Sequence, residues 1–401
     1  MRVSTAQFYF QNSQQLSNKQ SDVNQQIGYI SSGKRVLTAK DDAVQYGTIA
    51  GYNDELAAIE KYKRNITQAE NRNSLQETTF ANAEDVLQQF KQFFIQANNG
   101  PLSDTDLKAL SELAKNTQQE LLDLANTIDE TGSYIFSGYQ IDTKPFELQP
   151  DNSVTYQGDN GVRELQIAKN VMVELNQAGD EAFMKVPNPI GDFSPVYNTN
   201  SSEISVNRAV IVNRGAYDAV TNPPDYNFNF TSSTDLTVTD SLGNTVYSTA
   251  AYTPGQTIAF NGMEVQISGN PLPGDDFDLT PQENINIFDS IKRAVDWMSV
   301  GSSPADTTQH QVDYAEILAQ IDASLNHIVS RRAEVGVRMK LIENQTSNHA
   351  NNELNIQSGK SNIEDLDYAK AVADFEQAQV ALQAAQQTFV QIKGLSLFNF
   401  L

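Results

Sequence analysis

The sequence predicts an α+β multidomain protein in which both chain ends form a long, heptad-patterned helical bundle with an all-β domain inserted between them. Two observations support this class. Large apolar residues recur every seven positions near both ends of the 401-residue chain, which is typical of helices that pack on other helices. In the middle third, short alternating runs separated by Gly, Asn and Pro turns replace that pattern, as in antiparallel β structure.

The N-terminal segment, residues 1–40, is predicted to be an assembly helix followed by a loop. Its apolar residues form one stripe with a spacing of seven: Tyr9, Leu16, Val23 and Ile30. Sixteen of the first 31 residues are Ser, Thr, Asn or Gln. One apolar residue per two turns cannot stabilise an isolated helix in water. The composition favours a segment that is disordered until it meets a partner, and a frayed terminus is the alternative.

Residues 41–134 and 284–359 are predicted to be rod helices. One helix covers 42–98, a second starts at an N-cap signal, Ser103-Asp104, and a third starts near Pro304. The apolar residues expected to pack within the rod are Ile59, Ile66, Phe80, Leu87, Phe94, Ile321, Ile328, Val335 and Ile342. Asn73 is a polar residue on this stripe, and it either sets the helix register or faces solvent.

Residues 135–283 are predicted to form the inserted all-β domain, a small sandwich or barrel. Alternating runs occur at 153–156, 236–239 and 264–267, with turn signals such as Asn261-Gly262 between them. Residues 132–283 contain 19 acidic and 6 basic side chains, so this part carries −13 of the net charge of −23. A short helix at 286–300 leads back to the rod.

The C-terminal segment, residues 360–401, is predicted to be a second assembly helix. Large residues recur every seven positions from Tyr368 to Phe389, and small residues, Ala371 among them, lie three places after each. This pattern indicates a narrow seam for another helix, and the N-terminal stripe is a matching partner. The predicted assembly interface is Leu16, Val23, Ile30, Tyr368, Phe375, Leu382, Phe389 and Ile392.

Residue types that support catalysis or metal binding are few. The chain has no cysteine and three histidines, His310, His327 and His349, none of them spaced as metal-binding pairs. The carboxylates at 275, 276, 278 and 283 lack the spacing of an EF-hand loop and predict a solvated acidic turn. The sequence therefore predicts a protein that is not an enzyme, with no catalytic residue, no cofactor and no metal.

Charge and hydropathy exclude several classes of partner. The net charge of −23 argues against nucleic acid and anionic membranes. No apolar run reaches the roughly 18 residues of a membrane span. The first residues lack the apolar region of a cleaved signal peptide.

Short motifs at both ends resemble those of a known superfamily, the bacterial flagellins. SSGKR at 31–35 and AKDDA at 39–43 are similar to the flagellin N-terminal loop, SRRAEVG at 330–336 resembles its C-terminal rod motif, and Asp365, Asp367, Tyr368 and Ala369 resemble the entry to its last helix. Within the superfamily, the sequence is most similar to the hook–filament junction family, the third hook-associated proteins. That similarity lies in YIFSGY at 134–139, FNGM at 260–263, GDDF at 274–277 and the ending GLSLFNFL.

This resemblance implies a structural adaptor of the bacterial flagellum. Its terminal helices would assemble as coiled coils and join the hook, through the other hook–filament junction protein, to the flagellin filament. It also implies self-association in a ring, a flagellar export chaperone in the cytoplasm, type III export without a cleaved signal peptide, and an extracellular location.

Two other hypotheses are open. The first is flagellin itself. Flagellins carry an Arg-Glu pair where this sequence has Lys91 and Gln92, a departure that argues against filament-type packing at that surface. The second is a secreted coat or adhesive protein with no flagellar role.

Overall fold

The computed structural model describes residues 5–98, 102–220, 225–301, 304 and 307–398, with side chains described between 7 and 391. The chain divides into two compact units. The first contains the described residues up to Arg64 and those from Asn344 onward, and the second is Asn65–Glu343.

Helices make up both ends of the described chain, as the heptad pattern predicts. They are α1 (Thr5–Ser32), α2 (Ala43–Asn98), α3 (Asp104–Ala125), α4 (Arg214–Asp218), α5 (Ile287–Ser299), α6 (Thr307–Glu364) and α7 (Tyr368–Phe398), with one π-helical turn at Asp180–Met184. Ser103 caps α3 through a capping box with Asp106, which satisfies two backbone N–H groups at the helix start.

The strands lie between α3 and α5 and pair in antiparallel fashion. They are β1 (Phe146–Leu148), β2 (Val154–Tyr156), β3 (Glu164–Ala168), β4 (Val171–Glu174), β5 (Val186–Pro187), β6 (Phe193–Thr199), β7 (Ser205–Ile211), β8 (Tyr226–Phe230), β9 (Leu236–Asp240), β10 (Thr245–Thr249), β11 (Thr257–Phe260), β12 (Met263–Ser268), β13 (Asp276–Pro281) and β14 (Asn284–Ile285). The predicted α+β class, with helices from both ends and an inserted β region, is confirmed.

Polar and aromatic contacts join α2 to α6 within the first unit. Lys63 forms an ion pair with Glu353. The Tyr62 ring stacks on His349 with 5.5 Å between centroids, so that histidine has a packing role. Long helices with narrow apolar stripes gain specificity from such pairs, since few apolar contacts fix their register.

The second unit has an apolar core formed by α2, α3, α5 and α6. Heptad spacing places large side chains on the inner face of each long helix. All nine residues predicted for the rod are buried: Ile59 in the first unit, and Ile66, Phe80, Leu87, Phe94, Ile321, Ile328, Val335 and Ile342 in the second. Lys91 of α2 pairs with Asp322 of α6 at 2.5 Å.

Residues 135–187 belong to this helical core rather than to the β sandwich. An aromatic cluster joins Phe136, Phe146 and Phe183 to Phe80 of α2 and Phe288 of α5, with ring centroids 5.2–6.1 Å apart. The single β domain expected over 135–283 is therefore divided, because the apolar faces of its first strands pack on helices instead of on other strands.

The β3–β4 hairpin packs on the long helices of the second unit. Ile167, Val173 and Leu175 form a small core with Ile66 of α2 and Ile342 of α6. Hydrogen bonds from helix side chains to backbone carbonyls fix its position. Arg338 of α6 also pairs with Glu174 at 2.5 Å.

Asn73 does not face solvent, which excludes one of the two roles considered for it from sequence. It is fully buried, and its Nδ2 donates to the carbonyl of Glu174 at 3.0 Å and to that of Ala69 at 2.9 Å. The neighbouring Gln76 donates to the carbonyl of Leu175 at 2.8 Å. These two side-chain amides hold the backbone at the end of β4 in place against α2.

Residues 190–281 form the sandwich. A five-stranded sheet (β10-β9-β8-β13-β6) and a three-stranded sheet (β11-β12-β7) cover one apolar core. Asp275 is fully buried and accepts hydrogen bonds from the backbone N–H groups of Ser201 and Leu272, each at 2.7 Å. The expected solvated acidic turn is wrong for this residue, because its carboxylate ties two loops together.

Other boundaries differ from those expected. The α3 helix ends at Ala125, so Ile128 is exposed and forms a β-bridge with Tyr134. The α6 helix continues through Gly359 to Glu364, so the last helix begins at Tyr368 rather than at 360. In the described part of the chain, no helix is both long enough and apolar enough to span a membrane.

We predict that Asn73→Leu destabilises the second unit by about 1–3 kcal/mol, because the buried Glu174 carbonyl loses its donor. Urea unfolding followed by circular dichroism measures this change. Thr78→Ala, on an exposed face of the same helix, is the control and is expected to stay within about 0.5 kcal/mol of wild type. Equal stabilities for the two variants would contradict the role assigned to Asn73.

Candidate assembly site

The α1 and α7 helices pack along each other within the first unit. The Tyr9 ring lies against Phe389, with 5.1 Å between centroids. Because both stripes have a spacing of seven, one face of each helix meets the other along the pair.

The predicted interface residues differ in burial. Val23 is buried, Tyr368 is exposed, and the others with described side chains are half-buried: Leu16, Ile30, Phe375, Leu382 and Phe389. The side chain of Ile392 lies outside the described residues. A single pair of helices covers only one side of each stripe, which explains why most of these side chains keep part of their surface exposed.

A backbone clamp joins the loop after α1 to the break between α6 and α7. The N–H of Arg35 donates to the carbonyl of Glu364 at 2.7 Å, and the N–H of Leu366 donates to the carbonyl of Gly33 at 3.0 Å. Lys34 Nζ also lies 2.5 Å from the buried carboxylate of Glu364. The SSGKR motif and the segment around Asp365, near opposite ends of the sequence, therefore meet.

Gly33 is required by the geometry of this clamp. Its φ of +69° is in the left-handed region that disfavours side chains. A Cβ atom at this position would lie 2.9 Å from the Tyr368 hydroxyl. The hydroxyl of the exposed Tyr368 side chain thus lies beside Gly33.

Asp41 organises the loop between α1 and α2. Its carboxylate accepts hydrogen bonds from the Tyr29 hydroxyl at 2.7 Å, the Thr38 N–H at 2.8 Å and the Leu37 N–H at 3.1 Å. The hydrogen bond from Tyr29 is the main cause that lowers the pKa of Asp41 to about 2. The next residue, Asp42, accepts from Val44 and Gln45 N–H groups and caps α2.

Several contributors to this region were missed by the seam prediction. Val36 and Ile49 are buried beneath the loop. The Thr-x-x-Asp spacing of Thr38 and Asp41, typical of a capping box, was a signal that could have identified the loop. A pattern with a spacing of seven does not detect isolated apolar residues such as Val36 and Ile49. Ala371, a small residue of the predicted seam, is buried near the start of α7.

The α1–α7 pair also carries exposed apolar side chains away from its seam. They are Phe8, Phe10 and Ile27 on α1, and Val372, Val380 and Val390 on α7. Apolar groups spaced along a thin two-helix structure cannot all be covered by that structure itself. The pair therefore presents surface suited to further helices.

The histidines of the second unit have structural contacts. His327 is buried, and its Nε2 lies 2.8 Å from the carbonyl of Glu181. Burial lowers its pKa below the ordinary value. His310 stacks on Trp297 with 4.1 Å between centroids. Among the described residues, no three His, Asp or Glu side chains are grouped as metal ligands.

Comparison with known proteins gives consistent matches at both ends. Residues 3–141 match the bacterial flagellin N-terminal helical region, and residues 318–401 match the bacterial flagellin C-terminal helical region.

Three relatives illustrate the match over the full length. Flagellar hook-associated protein 3 of Escherichia coli (strain K12) is 22% identical over 399 residues, covering 100% of this chain and 99% of that protein. The crystal structure of flagellar hook-associated protein 3 from Legionella pneumophila is 30% identical, has a TM-score of 0.66 and covers 78% of this chain and 97% of that one. Flagellin A of Vibrio anguillarum is 22% identical over 381 residues, covering 95% and 93%.

We predict that Gly33→Ala weakens the clamp by about 1 kcal/mol or more, since the side chain is disfavoured at this φ and collides with Tyr368. Hydrogen exchange of the Arg35 and Leu366 amides should accelerate. Gly47→Ala, within α2 with no atom near its Cβ position, is the matched control and should stabilise the helix by up to about 1 kcal/mol. Unchanged exchange in Gly33→Ala would refute the clamp.

We also predict a pH dependence for Asp41→Asn. The folded-state pKa of about 2 is below the ordinary 3.8, so the stabilisation is fully present above pH 3.8 and is lost as the pH falls through about 2. The variant should therefore be less stable than wild type at pH 7, and the difference should shrink as the pH falls toward about 2. Thermal unfolding across this range measures the difference, with Asp54→Asn on the exposed face of α2 as control. A constant difference at all pH values would contradict this.

Proposed function

The chain belongs to the hook-associated protein 3 family of the flagellin superfamily, and we propose that its terminal helices join the hook to the filament by coiled-coil assembly. It is a structural adaptor of the hook–filament junction. The observation that supports the assembly mechanism is the α1–α7 pair, which is joined by the backbone clamp and keeps a half-buried seam and exposed apolar side chains along its length.

In the assembly, the terminal helices of neighbouring subunits cover what the pair leaves exposed. The half-exposed Phe375, Leu382 and Phe389 make additional contacts there, and the separate exposed residues of α1 and α7 pack on adjacent pairs. Burying a large apolar side chain fully contributes about 1.5–3 kcal/mol. Contributions of this size, repeated around a ring of subunits, stabilise the assembly through contacts that an isolated subunit does not make.

Four kinds of partner follow from this assembly. The chain associates with copies of itself in a ring, with the other junction protein on the hook side, and with flagellin on the filament side. Before export, a cytoplasmic chaperone covers the exposed apolar residues of the terminal helices, since such a surface promotes aggregation when left uncovered. Export proceeds through the flagellar type III apparatus, and the protein functions outside the cell.

Flagellin is the weaker alternative. The hook-associated protein 3 of Legionella pneumophila is 30% identical to this chain, whereas flagellins of Vibrio species that align with 91–95% of it are 22–24% identical. The known relatives are structural proteins of the flagellum, which agrees with a chain that has no enzymatic role.

The test is to produce Leu382→Asp in cells that lack the wild-type gene. A buried charge in place of a large apolar residue costs on the order of 3 kcal/mol or more per subunit, so hooks should form without filaments and flagellin should appear in the medium. Gln383→Asp adds the same charge at an exposed neighbouring position and should support filaments.

Circular dichroism of the purified Leu382→Asp protein should match wild type, which separates failed assembly from failed folding. Secreted protein in the medium separates failed assembly from failed export. Filament growth by Leu382→Asp would show that the seam assignment is wrong.

A further inference from the structure

The sandwich and the helical core of the second unit are separate apolar bodies. In the described residues, the buried apolar cluster of the sandwich runs from Ile190 to Leu279, and the cluster of the helical core contains none of these residues. Apolar burial therefore stabilises each body internally and does not join one to the other.

The covalent connection between the two bodies is a narrow neck, the β5–β14 pair. Only two residue pairs form it, Val186 with Ile285 and Pro187 with Asn284. Asn188, at the sandwich end of the neck, donates from Nδ2 to the carbonyls of Phe193 and Gln282 at 3.1 and 2.8 Å. A two-stranded ribbon this short resists bending far less than a sheet with a packed face.

Beyond the neck, polar contacts connect the sandwich to α6. The Tyr197 hydroxyl of β6 donates to Oε1 of Glu316 at 3.0 Å, and Asn200 Nδ2 donates to Oε1 of Gln309 at 3.0 Å. A cavity of about 470 Å³ lies beside the first contact, and its lining is rich in polar side chains, among them Asp289 and Asp313.

Glu316 is the buried charged group at this contact. Arg293 of α5 is its positive neighbour at 3.5 Å, whereas Asp313 on the same helix and Asp289 on α5 line the same cavity with negative charge. A single long ion pair beside two further carboxylates compensates poorly for removing a carboxylate from water.

We propose that the sandwich is a hinged module that turns on the β5–β14 neck, and that the Tyr197–Glu316 contact across the cavity is the latch that holds it against α6. Opening the latch exposes polar surface and breaks the hydrogen bonds that Tyr197 and Asn200 donate to α6, but among the described residues it uncovers no shared apolar core. It therefore costs far less free energy than separating two bodies that pack through apolar side chains.

The ionisation of Glu316 controls this latch. Burial raises the pKa of Glu316 to about 7, against the opposing effects of Arg293 and Tyr197. In the open form water reaches the carboxyl group, and its ordinary pKa of 4.5 returns. The closed form thus holds a proton that the open form releases, so closure is most favourable below pH 4.5 and weakens as the pH rises to about 7.

The absence of cysteine from the chain permits a direct measurement with two introduced labels. Leu242→Cys in the β9–β10 turn and Val337→Cys on α6 are both exposed, and spin labels at these sites report the distance between sandwich and helix by pulsed electron resonance. In this full-length background, we expect a narrow distance distribution at pH 5 and a broader one, with longer distances, at pH 8.

Three variants in the same background test the latch. Glu316→Gln keeps the acceptor for Tyr197 without the charge, so its distribution should stay narrow at both pH values. Glu316→Ala removes the acceptor and should give the broad distribution at both. Glu264→Gln, a carboxylate of an ion pair elsewhere on the sandwich, should retain the wild-type response.

Circular dichroism confirms that each variant is folded before labelling. A Glu316→Ala distribution as narrow as wild type at pH 5 would overturn the latch. A background protein whose distances do not change with pH, or a Glu316→Gln protein that still responds, would overturn its control by Glu316.

Discussion

The backbone clamp between the loop at 31–35 and the break after α6 is the contact on which the assembly site depends. Neither terminal helix has an apolar stripe wide enough for independent stability, so each needs the other nearby. Two backbone hydrogen bonds and the Lys34–Glu364 ion pair hold the end of α1 beside the start of α7. Once the ends are adjacent, pairing α1 with α7 requires little further loss of chain entropy.

The heptad pattern predicted the helices and their buried faces, because a spacing of seven reports directly which side of a helix meets another. This spacing predicted that Ile321, Ile328 and Val335 face the core, and all three are buried. It could not give the start of the last helix, because Gly359 lies within α6 and the break comes at Asp365–Asp367, where Asp367 caps α7 instead. Capping by a side chain depends on local geometry that a periodic pattern does not contain.

Alternating residues predicted strands but not the surfaces that those strands cover. The runs at 153–156 and 236–239 look alike in sequence, yet Val154 packs with the helical core and Val238 with the sandwich. The roles of Asn73, Asp275 and Glu316 were also beyond sequence reasoning. Each is a polar residue whose burial is decided by a segment about 70 to 120 positions away, and only the folded chain reveals that partner.

The narrow neck has a consequence for how proteins of this type vary. The chain leaves the helical core at Val186 and returns beside it at Ile285, so both ends of the sandwich emerge at one point. An insertion with adjacent ends can be lengthened, shortened or exchanged for another module while the helices that it interrupts keep their packing. Selection on the sandwich and selection on the assembling ends can thus proceed independently within one polypeptide.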